Sequence, residues 1–310
     1  MKYSLIVHGG AGHVSDKDVC RAGMTRAVQK GEEILTKGGT ALDAVISAVS
    51  ALEDDPAFNA GKGSVLNEHG NVEMEASVMD GKTLVAGAVA AIHNVKNPAK
   101  LAQLVMEESP HVMLVGEGAM DFGKAQSVEM MPDDYFITEF RKQQLAKAKE
   151  EGHIGSTAEN HNQVDDKKYG TVGAVACDRQ GNLAAATSTG GRVNKQLGRV
   201  ADTSIIGAGT YADNETCAVS TTGNGEQFIR TALAKTISDI VYFQKVQAQE
   251  AAESGIRYLV EKVNGLGGVI VVDRQGRMGS AHSTHGLPHA FVTEGNGIEC
   301  RFTSVVEIKK

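Results

Sequence analysis

The sequence predicts an α+β protein built as two stacked, mainly antiparallel sheets with helices on their outer faces. Three observations carry that reading. Strand-like runs come in hairpins instead of alternating with helices, which favours antiparallel pairing. The amphipathic helical stretches fall in two groups, and each needs a sheet face to cover. Finally, 36 of the 310 residues are Gly, with 5 Pro and no Trp, a balance suited to close-packed strands and sharp turns.

Taken in order, "YSLIVHGGAG" is a short apolar run ending in glycines, a buried strand running into a tight turn. "GGTALDAVISAVSALEDD" places Leu42, Val45, Ile46, Val49 and Leu52 at helical spacing, with Thr40 as N-cap and Asp43 in the capping-box position. "VEMEASVMDG" and "LVAGAVAAI" form a hairpin turning near Asp80-Gly81, after which Asn97-Pro98 opens a helix through about Glu107. From Pro132 to Gly170 the chain is strongly charged, which reads as a frayed helix followed by a mobile linker over about 146–170. "TVGAVACDRQGNLAAATSTGG" is a hairpin around a Gln-Gly-Asn turn, and "SIIGAGTYA" and "TCAVSTTGNGE" are strand-like. One helix then starts near Glu226 with Ile229, Leu233, Ile237 and Ile240 on one stripe, and another spans about Ala248 to Lys262 before a Gly265 stop signal. "GGVIVVDRQGRMGSAHST" repeats the layout of strand, Arg-Gln-Gly turn and strand.

Composition narrows the function classes. Lys plus Arg total 31 against 38 Asp plus Glu, a formal charge of −7, so a phosphate-rich partner such as nucleic acid or an anionic membrane is disfavoured and the ligand is a small molecule. Cys20, Cys177, Cys217 and Cys300 lie far apart with no C-x-x-C pair, and read as reduced, mostly buried thiols. The start "MKYSLIVHGG" has too short an apolar core for a signal peptide, and no stretch reaches the roughly 20 apolar residues of a membrane span, so a cytoplasmic location is expected.

The common catalytic signatures G-x-S-x-G, H-E-x-x-H and G-x-x-x-x-G-K-[ST] are absent. "HGG" at His8 to Gly10 matches the oxyanion motif of α/β-hydrolases but lacks its nucleophile elbow, so a glycine turn is the simpler account. Threonines, however, recur beside glycine: Thr171, Thr187 and Thr189 in "TSTGG", and Thr221 and Thr222 in "STTGNG". A hydroxyl needs a base to act as a nucleophile, and no histidine is placed for that by sequence. A threonine freed at its own N-terminus carries one, because an α-amine of pKa about 8 is on the order of one-tenth neutral near pH 7, whereas a Lys at about 10.4 is neutral in less than about one molecule in a thousand. Gly170 leaves the carbonyl before Thr171 unshielded. The residues alone leave Thr171 either as such a nucleophile or as the first residue of a strand.

A resemblance bears on that choice. "HGGAG", "LEDDPAFNAGKGSVLN", "VEMEASVMDG", "NPAKLAQLVME", "GTVGAVACDRQGNLAAATSTGG", "GRVADTSIIGAGTYADN", "STTGNGE" and "GLGGVIVV" together look like the plant-type L-asparaginase and isoaspartyl peptidase family of N-terminal nucleophile hydrolases, from residue 5 to about 273. The resemblance implies a four-layer αββα sandwich in a single domain, autocleavage between Gly170 and Thr171 into an α chain of 1–170 and a β chain of 171–310, and a homodimer of processed units, (αβ)2. It implies Thr171 as nucleophile, Thr189 as the threonine that orients it, and Arg199 and Asp202 as the grips for the substrate's α-carboxylate and α-amino group. That division fits a guanidinium, which can hold a carboxylate through two bonds. It further implies Thr222 and the Gly223 amide as the oxyanion hole, Gly225 in the same binding loop, and Asn59 as an active-site asparagine.

No organic cofactor is implied, but a structural sodium (or potassium) ion is, held by the main-chain carbonyls of Leu52, Glu53, Asp55, Phe58, Ala60 and Lys62, hard oxygen donors of the right kind. One departure is Ala201, where family members commonly have Gly, which bears on the shape of the Arg199–Asp202 loop. The activity implied is hydrolysis of L-asparagine and of N-terminal isoaspartyl dipeptides. Alternatives are a relative acting on glycosylated asparagine, an endopeptidase acting after aspartate, and a non-catalytic amino-acid-binding protein that stays uncleaved.

Overall fold

The computed structural model describes residues 1–12, 14, 16–152 and 170–303. Its elements run β1 (Ser4–His8), α1 (Lys17–Thr36), α2 (Ala41–Glu53), β2 (Met74–Asp80), β3 (Ala86–Ile92), α3 (Pro98–Glu108), β4 (Met113–Val115), α4 (Gly116–Ala125), α5 (Asp133–Phe136) and α6 (Glu139–Glu150). There follow β5 (Val172–Cys177), β6 (Leu183–Thr189), β7 (Thr210–Ala212), β8 (Cys217–Gly223), α7 (Gly225–Thr231), α8 (Leu233–Gln244), α9 (Ala248–Val263), β9 (Gly267–Asp273), β10 (Met278–His282), β11 (His289–Thr293) and β12 (Glu299–Arg301). One sheet has the order β12-β11-β1-β5-β6-β2-β3-β4 and the other β10-β9-β8-β7. Every neighbouring pair is antiparallel except β3 with β4. Helices α1, α2 and α3 lie on the larger sheet, α8 and α9 on the smaller, and β5 and β6 face β8 across the interior. The expected αββα layering is what the chain forms.

Side-chain parity follows from the strand period of two. Val172, Ala174 and Ala176 of β5 join the core beneath the helices of the larger sheet, whereas Val175 and Cys177 join the core between the sheets with Ile6, Leu183, Ala185, Ala218, Ile270 and Val272. Odd positions of β5 and β6 therefore face the second sheet, and Thr171 and Thr189 inherit that direction. The close approach has a sequence cause: a Cβ at Gly173 would sit 2.0 Å from Ser220 Oγ and 2.6 Å from His8 Nε2.

The helix at Thr40 forms as expected, with the Asp43 amide donating to Thr40 Oγ1 at 3.1 Å and the threonine hydroxyl returning a bond to the Asp43 carboxylate at 2.7 Å. Elsewhere the structure departs from expectation for identifiable reasons. α1 and α4 were not anticipated because glycines interrupt their patterns, yet α1 buries Cys20, Gly23, Met24, Ala27, Val28, Gly31 and Leu35 along one face. The stripe from Ile229 to Ile240 is two helices, broken at Ala232 with φ +43°. There the loop carbonyls of Ala208 and Gly207 capture the amides of Ala234 and Lys235 at 3.1 and 2.8 Å. In "SIIGAGTYA" only Thr210–Ala212 is strand, since the chain before it folds on itself, with the Ala208 amide donating to the Ile205 carbonyl at 2.9 Å.

Helix α6 is docked rather than frayed. Arg141, 1% exposed, donates from Nε to the Gly63 carbonyl at 2.6 Å and from Nη1 to Gln144 at 2.9 Å. Of the expected mobile linker, residues 153–169 lie outside the described residues. Cys20, Cys177 and Cys217 are buried free thiols and Cys300 is partly buried. Among the described residues no helix is long and apolar enough to cross a membrane.

Candidate active site

Antiparallel pairing brings the start of β5 and the end of β6 to one edge of the inter-sheet layer, since Val172 pairs with Ser188. Thr171 and Thr189 meet there, with 3.1 Å between their hydroxyl oxygens. Thr189 Oγ1 accepts both the Thr171 hydroxyl and, at 3.0 Å, the Gly191 amide, so its lone pairs are committed to Thr171 and to the local turn. Asn59 secures the same turn from outside, donating from Nδ2 to the Gly191 carbonyl at 2.8 Å and accepting the Val65 amide on Oδ1 at 2.9 Å. Both ends of that side chain are occupied, which makes it a support for the segment after Thr189.

Thr222, fully buried at the end of β8, faces this pair from the opposite sheet. It accepts the Ala11 amide on Oγ1 at 3.1 Å, which leaves its own proton to be donated. A Cβ on Gly170 would come within 3.1 Å of that same oxygen, so the Gly170–Thr171 junction lies beside Thr222. Gly10, at φ +108°, passes so close that a Cβ there would lie 2.0 Å from the Gly170 nitrogen. The "HGGAG" segment is therefore more than a turn after the first strand. It clasps the junction and supplies an amide to Thr222.

By sequence His8 is only the head of a glycine turn, yet its Nε2 lies 2.9 Å from Ser220 Oγ beneath the junction. Complete burial pushes its pKa down to about 3 against an opposing pull from the Thr171 backbone, so it is neutral at ordinary pH. The clue was positional: parity places His8 with Ile6 on the inter-sheet side, opposite Gly173.

Arg199 sits on the loop before the 3-10 turn Asp202–Ser204, and Asp202 begins that turn. Glu226 Oε1 accepts from Arg199 Nε at 2.9 Å and pairs with Nη2 at 2.9 Å. Nη1 is buried without a hydrogen-bond partner, beside Gly191. Burial favours protonation of Glu226, but Arg199 and then Arg192 outweigh it and hold the carboxyl below its usual range. Asp202 is fully enclosed; burial raises its pKa to about 7, with the Thr221 hydroxyl donating to Oδ2 at 2.8 Å in opposition. Its Oδ1 points at Gly225, where a Cβ would lie only 2.5 Å away. Gly225 opens α7 and Gly223 stands exposed at the tip of β8, so the "STTGNGE" segment closes the site. Ala201 fits: its methyl is buried and packs toward Gly225. Thr221, Ala11 and Glu75 complete the surroundings; sequence reading names Thr221 only as a threonine of "STTGNG" and assigns none of the three a role, because those roles depend on which strand ends coincide.

The loop implied to hold a cation runs from the end of α2. The Leu52, Glu53 and Asp55 carbonyls each accept a backbone amide, from Asp55, Lys62 and Phe58 at 3.3, 2.7 and 3.1 Å, and a carbonyl has a second lone pair to offer. Glu53 Oε2 is buried with no hydrogen-bond partner, and burial raises that carboxyl to about 7. The donors are all hard oxygens, which fits a monovalent cation; among the described residues no cluster of His, Cys, Asp and Glu is arranged for a transition metal.

The edge thus holds a hydroxyl against a second hydroxyl, a third hydroxyl across the layer with its proton free, and a guanidinium with an unpartnered nitrogen near a buried carboxyl. Such a set suits attack on a carbonyl of a small zwitterion. Comparison with known proteins agrees. The family model described as "Asparaginase" matches residues 1–300. The isoaspartyl peptidase/L-asparaginase of Homo sapiens is 46% identical over 311 residues, covering 98% of each chain. That of Xenopus laevis is 47% identical over 297 residues, 95% of this chain and 93% of the relative. The isoaspartyl peptidase of Escherichia coli (strain K12) is 42% identical over 305 residues, 95% and 94% of the two chains. A family model spanning nearly the whole sequence, relatives matched end to end and two facing sheets with three threonines at one edge lead to one statement: this chain belongs to the asparaginase family.

Proposed function

We propose that the protein is a self-processing threonine amidohydrolase that converts L-asparagine to L-aspartate and ammonia and cleaves dipeptides with an N-terminal isoaspartyl residue. The observation that carries this is the 3.1 Å approach of the Thr171 and Thr189 hydroxyls beside Thr222. The names of the relatives, isoaspartyl peptidase and L-asparaginase, give the substrate class.

Maturation begins with Thr171 Oγ1 adding to the Gly170 carbonyl. The C–N bond then breaks, the hydroxyl proton ends on the released nitrogen, and an ester joins Gly170 to Thr171 Oγ1 until water hydrolyses it. The products are an α chain of 1–170 and a β chain starting with a free α-amine at Thr171. In turnover that amine accepts the Thr171 hydroxyl proton as Oγ1 attacks the substrate's side-chain carbonyl. The oxyanion is held by the Thr222 hydroxyl and the Gly223 amide, the amine returns its proton to the departing nitrogen, and water cleaves the aspartyl ester by the same route. Arg199 Nη1 holds the α-carboxylate and Asp202 the α-ammonium, which fixes the reacting carbonyl relative to Thr171. A monovalent cation on the Leu52–Lys62 carbonyls would stiffen the loop that carries Asn59. We further assign the functional unit as (αβ)2 and its location as the cytoplasm, a location that the free thiols favour.

Intact-mass measurement of purified protein tests the reading. A fragment beginning at Thr171 is expected, together with release of ammonia from asparagine and of leucine from β-aspartyl-leucine. A full-length chain that turns over either substrate, or a processed protein active on glycosylated asparagine alone, would overturn it.

A further inference from the structure

Glu75 lies inside β2, 0% exposed, and its parity with Met79 turns it toward the inter-sheet layer. A buried carboxylate is costly unless donors surround it, and here three bonds do. The Ala201 amide donates to Oε1 at 3.0 Å and to Oε2 at 2.8 Å, and the Ser204 hydroxyl to Oε2 at 3.1 Å. Ala201 stands between Arg199 and Asp202, and Ser204 ends the 3-10 turn that Asp202 begins. On its other side Glu75 is the register partner of Thr189, whose hydroxyl meets Thr171.

The charges around it are arranged to match. Lys195, 2% exposed, spends its bond on the Glu73 carbonyl at 2.8 Å, so its charge is answered through space by Glu75 and Glu73. Arg199 is a second nearby cation. A loop needing only an acceptor for one amide could take a backbone carbonyl or a neutral side chain. A fully buried carboxyl, held by two donors through three bonds and with two cations nearby, is a stronger fixture.

We propose that Glu75 is a positioning residue for substrate recognition: by clamping the amide between Arg199 and Asp202 while pairing with Thr189, it sets the distance between the two grips and the reacting threonine. This rests on the function proposed above and names a residue outside the set that touches substrate. Glu75 holds the grips without meeting the scissile bond, so its loss acts on binding.

The test compares wild type, Glu75→Gln and Glu75→Asp in processed form, with L-asparagine and β-aspartyl-leucine as substrates. Glu75→Gln keeps the volume but turns an N–H toward a donor and removes the charge, and KM for both substrates is expected to rise about tenfold or more, with kcat within about threefold and the Thr171 fragment still formed. Glu75→Asp, which keeps the charge at shorter reach, is expected to recover part of the lost affinity. An unchanged KM in Glu75→Gln, or a fall in kcat and thermal stability with KM unaltered, overturns the positioning role. Should Glu75→Gln fail to fold, a Glu75→Asp KM equal to wild type does so. A wild type inactive on both substrates strikes instead at the proposed function, which keeps the two failures apart.

Discussion

The two ends of the inter-sheet layer treat buried polar groups in opposite ways. At one end the "DRQGN" and "DRQGR" turns close their hairpins around a buried aspartate. Asp178 Oδ1 accepts the Gln180 and Asn182 amides, both at 2.9 Å. Asp273 Oδ1 accepts those of Gln275 and Arg277 at 3.0 and 3.1 Å, while Oδ2 takes Arg277 Nε at 2.7 Å. These carboxylates are answered mainly from within their own turns, with the Ala41 amide adding a bond to Asp178 Oδ2 at 3.4 Å. At the other end, Arg199 Nη1 is buried with no hydrogen-bond partner, and Asp202 Oδ1 packs against Gly225. A buried group left unanswered costs about 1–3 kcal/mol, so the second end stores stability that only a ligand of complementary charge recovers. The chain uses one set of strands to hold both a closed joint and an open one.

The largest effect expected from breaking this contrast is at Thr171. Thr171→Ala should leave one intact chain of 310 residues on a denaturing gel and lower amidase turnover by about 10^4-fold or more; a variant still cut at residue 171 and active would dismiss the threonine from its role. Next is Thr222→Val, which removes the proton aimed across the layer and the acceptor for Ala11. A fall in kcat of about 10^2- to 10^3-fold is expected, measured on whatever fraction has matured.

A pH dependence sharpens the comparison further. With the Asp202 carboxyl raised to about 7 by burial, the free site holds it protonated below that pH, where it no longer pairs with the substrate's ammonium. KM for asparagine should therefore rise about tenfold per pH unit on going below about 7 and stay level above it, and Asp202→Asn should abolish that limb while binding weakly throughout. The smallest effect on catalysis belongs to the closed end. Asp178→Ala strips two turn amides of their acceptor and should reduce unfolding free energy by about 1–3 kcal/mol, seen as a lower denaturation midpoint, with kcat and KM unchanged. A loss of activity per folded molecule there would erase the division between the two ends.

Much of the fold was legible because its signals are local. The Thr40 cap, the Asp80–Gly81 turn and Pro98 at a helix start each act within four residues, and all three elements formed where the sequence placed them. What resisted reading depends on partners far along the chain. The break at Ala232 exists because a loop from residues 207–208 takes the amides of the next turn, and α6 is fastened by Arg141 reaching Gly63, 78 residues away. The site divided in the same way. Motif resemblance located Thr171, Thr189, Thr222, Arg199 and Asp202, and the structure gathers them at one edge. Glu75, Ala11 and His8 fall inside the quoted motifs but carry no assigned role, since a strand or loop does not show in its own residues which distant strand end it will meet.

The strand order has a further bearing on what a cut at Gly170 means. β1 lies between β11 and β5, and β2 lies beside β6, so segments from before and after the junction alternate across the larger sheet. Severing the peptide there leaves two polypeptides whose strands are hydrogen-bonded to one another at three seams of that sheet, β11 with β1, β1 with β5 and β6 with β2. Once unfolded, however, they are separate molecules, and regaining the structure becomes a meeting of two bodies whose rate depends on dilution. Processing would thus convert a protein that can renature alone into one that, under harsh conditions, has a single folding lifetime.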